Sequence, residues 1–328
     1  MSQFAQQSGD AETLPPRRRR WVGLARLGML VVVLGLIAWY VARHIEDFRV
    51  VGDIHWTALA AAMALDVLIY VYSAAAVVLT VHLFGPRVRV GEAMLLSLLT
   101  RFGNILLPLR GGAVMRAVYL KRAHGLTYAH FLAGLSAMLL AMLAVSLISA
   151  IGGLGYVGWA TGQTFPSVIV LLSGALVAIL LTVVLRPRIG SGESGGLRGH
   201  IQRLIDGYQL VSRHRPSLVG LLAVSTMHVL TMAGIYAVLL AAMGKAAPWG
   251  FLIVIVALGN ISTVVQVTPG NVGVYEGLLA ILGSLMGLAV ADILAATLAW
   301  RVLDTVLILV TGPVSSVILT GKVMGPRR

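Results

Sequence analysis

The sequence predicts an all-α polytopic membrane protein, and three observations carry that prediction. Hydrophobic residues make up 58% of the 328 positions and charged residues only 11%, with a mean hydropathy of +0.92. A soluble domain covers its surface with about 25% charged residues, and twelve acidic residues cannot solvate a body of this size. Apolar runs of roughly twenty residues, the length of a helical span, recur along the chain. A transmembrane β-barrel is excluded, because its short strands would alternate apolar and polar residues.

The chain contains no cysteine, which removes disulfides, thiolate metal sites and a Cys nucleophile. Twenty-five Lys and Arg against twelve acids leave a net charge of +13. In a soluble protein such an excess suggests nucleic acid. In a membrane protein it is the ordinary enrichment of cytoplasmic loops, and it attracts anionic headgroups. No nucleic-acid partner is expected.

Residues 1–20 form a polar tail ending in Arg17, Arg18, Arg19 and Arg20. The run over 21–42 is too long for a signal-peptide core and reads as an uncleaved first span. Further spans are expected at 57–81, 128–154, 167–185, 216–243 and 290–320, all within one transmembrane domain over 21–322.

Two apolar segments do not read as simple spans. Residues 92–122 hold Arg101, Asn104, Pro108, Arg110, Gly111, Gly112 and Arg116, and residues 249–288 hold Asn260, Gln266, Pro269, Gly270, Asn271, Gly273 and Glu276. In each, a helical run ends at proline, which removes a donor and clashes with the preceding turn, passes through glycine, and resumes. Broken backbone persists at membrane depth only inside protein or beside a wet cavity. The ten residues from Ala113 to Arg122 cross about half of a 30 Å hydrocarbon core, so a re-entrant hairpin fits better than a full crossing.

Charge placement supports six spans and two hairpins. With the N-terminus inside, Arg87, Arg89, Lys121 and Arg122 fall inside, as do Lys322, Arg327 and Arg328 and the basic loop 186–215. The loop 155–166, expected outside, carries no charge. The positive-inside rule is met throughout. The first hairpin then enters from the cytoplasm and the second from the opposite face, with Pro108 and Gly112 aligned on Pro269 and Gly273. Paired breaks of inverted sense point to a transporter's binding site.

At these breaks the sequence resembles a known family. The run from Asn104 through Pro108, Arg110, Gly111 and Gly112 to Arg116 resembles the N-terminal signature of the lysylphosphatidylglycerol synthase transmembrane (flippase-like) family. The run Thr268, Pro269, Gly270, Asn271, Gly273, Tyr275, Glu276 is similar to its C-terminal signature, and Arg301 and Gly312 match an arginine and a glycine of its last helix. Two positions depart from the pattern: Ala113 replaces a common Glu, and Leu135 to Met138 lack an acidic–arginine pair. The resemblance implies movement of an amphiphilic lipid between leaflets, without the aminoacyl-transferase domain of full-length synthases.

Ionisable groups inside a span are candidates for function. Arg301 and Asp304 lie one turn apart, at the spacing of an i,i+3 ion pair, which reads either as a self-neutralised pair that helps insertion or as groups for gating or headgroup contact. Arg101, Arg110 and Arg116 bracket the first break and offer guanidinium groups for a lipid phosphate, with Glu276 either answering them or meeting a cationic headgroup; snorkelling to the surface is the alternative for Arg116. Asn104 and Asn271 complete the expected substrate-binding set. Asp66, isolated on an Ala-rich face, is expected to have a buried partner, with proton coupling as the alternative. Gly153, Gly155 and Gly158 match a dinucleotide fingerprint without βαβ context, so that reading is rejected. Residues 198–213 look like a basic amphipathic surface helix.

No catalytic, metal or cofactor motif is present, so no enzymatic activity and no cofactor are expected. The expected function is lipid transport across a bacterial-type inner membrane, with both termini cytoplasmic and a homo-oligomer allowed. The expected partners are membrane lipids, an anionic phospholipid or a lipid-linked headgroup. The competing reading is a non-transporting scaffold or lipid-binding regulator of an envelope-lipid pathway, whose hairpins would pack dry.

Overall fold

The computed structural model describes residues 54–106, 111–185, 214–264, 271 and 273–324. The basic tail, the run over 21–42, Pro108, Arg110, Gln266, Pro269, Gly270 and the amphipathic segment 198–213 lie outside the described residues. Within them the chain is all helical: α1 Trp56–His82, α2 Val90–Leu106, α3 Gly111–His124, α4 Tyr128–Thr161, α5 Pro166–Leu185, α6 Arg215–Ala242, α7 Trp249–Val264, α8 Val274–Leu285 and α9 Val290–Met324.

Four helices, α1, α4, α6 and α9, are long and apolar enough to cross a membrane. Local chemistry sets their ends. His55 Nδ1 accepts the Thr57 N–H at 3.4 Å and Thr127 Oγ1 accepts that of His130 at 3.2 Å, meeting orphan donors of the first turn. Gly162, at φ 74°, closes α4 in the left-handed conformation, which glycine adopts without a Cβ clash. Helix α4 therefore continues through Thr161. The uncharged loop expected over 155–166 shrinks to a short connection at 162–165, because nothing before Gly162 stops the helix.

The two broken segments become helix pairs. Helices α2 and α3 have 17 and 14 residues, and α7 and α8 have 16 and 12, so these limbs are about 18–26 Å long. The start of α2 and the ends of α1, α3 and α9 share one apolar cluster, holding Ala93, Val81, Leu120 and Leu319. The start of α7 and the end of α6 meet the start of α9 and the end of α4 in another, through Phe251, Met243, Ile293 and Val157. The two pairs thus open toward opposite ends of the bundle.

A repeat organises the molecule. Lengths of 27, 17, 14 and 34 residues for α1–α4 recur as 28, 16, 12 and 35 for α6–α9. Packing recurs as well: α4 lies on α7 as α9 lies on α2, and α1 lies on α2 as α6 lies on α7. Helix α1 packs along α6 at the centre, while α5 leans on α4.

Glycines permit the closest crossings. A Cβ at Gly153 would stand 2.7 Å from Val254 Cγ2 and 3.0 Å from the Gly250 carbonyl oxygen, fixing α4 against α7. Of the rejected dinucleotide fingerprint, Gly153 is thus a helix-packing position. Gly312 occupies the matching position between α9 and α2, where a Cβ would meet Phe102 Cγ at 2.5 Å. Outward faces remain apolar: Val170 and Leu171 on α5 and Val310 and Val317 on α9 are exposed, and Trp56, Trp159 and Trp249 project at helix ends, as an interfacial aromatic belt requires.

Candidate functional site

A cavity of about 300 Å³, its apolar wall set with charged and polar side chains, lies inside this bundle. Asp66 and Tyr70 of α1, Arg101 and Asn104 of α2, and Arg116 of α3 line it from one repeat. His228 of α6, Asn260 of α7, Asn271, Tyr275 of α8, and Trp300, Arg301 and Asp304 of α9 line it from the other. Met138, Met142 and Met232 supply an apolar wall.

One turn of α9 ties the site together. Trp300 Nε1 donates to Asp66 Oδ1 at 2.9 Å, giving Asp66 its buried partner. Arg301 pairs with Glu276 at the start of α8. Asp304 accepts from Arg101 Nη2 at 2.7 Å and Nε at 3.2 Å through one carboxylate oxygen, and from the Tyr70 hydroxyl through the other. The expected pair between Arg301 and Asp304 is therefore replaced by two pairs between segments. An arginine N-terminal to its acid is the weaker order on a helix, and the neighbouring helices present partners at both positions. Glu276, expected to answer Arg101, Arg110 or Arg116, answers Arg301 instead.

Both breaks are closed by side chains. Asn104 Oδ1 accepts the Gly112 N–H at 3.0 Å, across the break from the last turn of α2. A Cβ on Gly112 would run into the Thr100 carbonyl, so this glycine is what allows α2 and α3 to touch. In the second repeat Asn271, at φ 58°, is followed by Gly273 at φ 83°. Glu276 Oε2 accepts the Gly273 N–H at 2.7 Å, so one carboxylate caps α8 and pairs with Arg301. Asn271 Nδ2 donates to Ser262 Oγ at 3.0 Å, and its carbonyl accepts from Arg301 Nη2 at 3.3 Å.

Arg116 is different. It is 5% exposed, so it does not snorkel. Its guanidinium carbon lies 5.4 Å from the centre of the Phe131 ring, and its Nε has no hydrogen-bond partner.

Of the expected substrate-binding set, Arg101, Asn104, Arg116 and Asn271 line the cavity, Glu276 stands one layer behind through Arg301, and Arg110 is outside the described residues. Sequence reasoning missed Tyr70 and Trp300. Tyr70 had a legible signal, since it lies four residues from Asp66 and therefore on the same helix face.

A second polar cluster sits at one end of the bundle. Glu92 of α2 accepts from Tyr119 at 2.5 Å and makes a 2.8 Å contact with His124 Nε2, both on α3, and its other oxygen lies 3.9 Å from Lys322 of α9. Burial pushes the Glu92 carboxyl up. The bonds from Tyr119 and His124 and the charges of His124 and Lys322 outweigh it, holding the group below its ordinary value of 4.5.

No curated protein matches the chain. Residues 26–312 match the family of the lysylphosphatidylglycerol synthase TM region, a match that covers most of the sequence and both broken segments. The chain belongs to the lysylphosphatidylglycerol synthase transmembrane family and is a multi-pass membrane protein of a lipid-handling family.

Proposed function

We propose that this protein moves a phospholipid between the two leaflets through the central cavity, without chemical change to the lipid. The supporting observation is the cavity itself: inside an apolar bundle, carrying charged and polar side chains, and lined from both broken segments. A buried polar space in a membrane protein is costly unless it serves a substrate or ion. The four long helices α1, α4, α6 and α9, the run over 21–42 and α5 together make six spans. The α2–α3 and α7–α8 pairs enter from the cytoplasmic and external faces respectively, and both termini lie in the cytoplasm of a bacterial-type cell. Their limbs of about 18–26 Å are shorter than a 30 Å core, which is the length expected of segments that break inside it. The two repeats then rock against each other around a fixed site, as inverted-repeat transporters do.

The test is reconstitution of the full chain into liposomes carrying tail-labelled phospholipids, with a membrane-impermeant quencher reading outer-leaflet label. Transport predicts quenching beyond one half of the label, at a rate that rises with protein per vesicle. Quenching that stops at one half in every lipid tried would leave a scaffold or lipid-binding regulator as the better reading.

A further inference from the structure

The charges around the cavity do not all cancel in pairs. Among the described residues, three arginines (101, 116 and 301) and three acids (Asp66, Glu276 and Asp304) line the site or stand directly behind it. Two cations and two acids are closed as Arg101–Asp304 and Arg301–Glu276. Arg116 and Asp66 remain.

Arg116 has no carboxylate at ion-pair distance, and its Nε is unpartnered while the residue is 5% exposed. Asp66 is 1% exposed; Trp300 takes one of its oxygens, and Oδ2 has no partner. Other groups around the cavity do not satisfy it. Tyr70, on its own helix, donates to Asp304, Arg101 is committed to Asp304, and His228 of α6 makes no hydrogen bond to it. Buried charges are stable when paired, so this cavity presents one open cation and one open anion to whatever fills it.

We propose that the cavity binds a zwitterionic headgroup bearing one phosphate and one ammonium, with Arg116 as the phosphate subsite and Asp66 as the ammonium subsite. The proposal rests on the lipid-handling reading above and names its substrate class. A guanidinium offers a phosphate two parallel N–H bonds. An ammonium brings three donors to a carboxylate oxygen that lacks a partner. With His228 as neutral imidazole, the six charges sum to zero, and a net-neutral headgroup preserves that sum. A phosphate lipid without an amine leaves Asp66 unanswered and one negative charge in excess. The volume of about 300 Å³ stands at the lower end of small-molecule sites, roughly 300–1,000 Å³; it suits a headgroup and excludes two acyl chains.

The experiment uses the full-length protein in detergent micelles doped with dioleoylphosphatidylethanolamine, or with the same lipid N-acetylated so that only the ammonium is lost. Soluble O-phosphoethanolamine forms a third arm, and the readout is the midpoint of thermal unfolding against ligand concentration. The free-amine lipid should bind at least tenfold more tightly than its N-acetyl form. Asp66→Asn retains an oxygen for Trp300 and should bring that ratio close to one. Arg116→Gln should weaken both lipids, with Arg116→Lys restoring part of the loss.

Equal binding of the two lipids by the wild type overturns the ammonium subsite, and that comparison needs no variant. A ratio unchanged in Asp66→Asn overturns the assignment to Asp66. Tight binding of O-phosphoethanolamine without the lipid overturns the lipid as ligand. The liposome assay reports separately on transport: selective binding without flipping keeps the subsites and fails the transport reading, whereas flipping without headgroup preference does the reverse.

Discussion

Trp300, Arg301 and Asp304 occupy a single turn of α9, yet each reaches a different segment: Asp66 on α1, Glu276 on α8 and Arg101 on α2. Removing one member of such a pair strands the other charge. Glu276→Gln keeps an oxygen for the Gly273 N–H and deletes the charge facing Arg301, so its effect isolates the ion pair. Breaking a buried pair costs about 3–5 kcal/mol in a dry interior; because Arg301 keeps 18% of its side-chain surface, the expected loss is about 2–3 kcal/mol by the same principle. A lowered unfolding midpoint and a lipid-flipping rate reduced tenfold or more should both be measurable in reconstituted protein. Gly112 tests backbone approach instead of charge. Gly112→Ala drives a Cβ into the Thr100 carbonyl and should destabilise by about 1–3 kcal/mol, the range for overpacking. Gly155→Ala, with nothing within 4 Å of its Cβ, is the matched control and should leave the midpoint unchanged or slightly raised.

At the scale of elements, the hairpin of α2 and α3 is fastened to the end of α9 by Glu92. Its folded carboxyl titrates below the ordinary 4.5. A depressed carboxylate contributes stability above its unfolded value, and that contribution is lost as the pH falls through the folded one. Acidification below the ordinary glutamate range should therefore loosen the α2–α3–α9 contact, read as increased hydrogen exchange over residues 90–98 and 117–124. Glu92→Gln should show that increased exchange already at neutral pH and respond less to acid. An unchanged acid response in the variant would assign the effect to another group. Helix α9 is positioned against α2 by Gly312, and Gly312→Val should shift α9 away from Phe102, weakening the Arg101–Asp304 pair one face away.

For the whole molecule, the recurrence of lengths and packing between α1–α4 and α6–α9 makes a topological prediction that the cysteine-free sequence allows to be tested cleanly. Single cysteines at Gly85 and Gly125 flank the first hairpin, and cysteines at Gly244 and Gly287 flank the second. In intact cells the second pair should react with an impermeant thiol reagent and the first pair should react only after permeabilisation. Opposite accessibility within either pair would convert that hairpin into a full crossing and remove the inverted arrangement. By the same approach a cysteine at Gln163, in the short connection after α4, should also react in intact cells.

Much of this protein was legible one residue at a time. Composition and run length specify an all-helical membrane protein, because spanning a bilayer requires every backbone group to be satisfied within its own segment. The interruptions over 92–122 and 249–288 announced themselves, since proline and glycine act on the local backbone whatever surrounds them. Asn104, Arg116 and Asn271 were recognisable for the same reason: polar groups beside a break in an apolar run. Pairing was not legible. Arg301 and Asp304 look like partners along the chain, but partner choice depends on which side chains neighbouring helices deliver at 3 Å, and helix packing alone decides that. Tertiary structure also decided which charges are left open. Arg116 and Asp66 are unmatched only because α9 takes up Arg101 and Glu276, and no spacing within either segment records where α9 will lie.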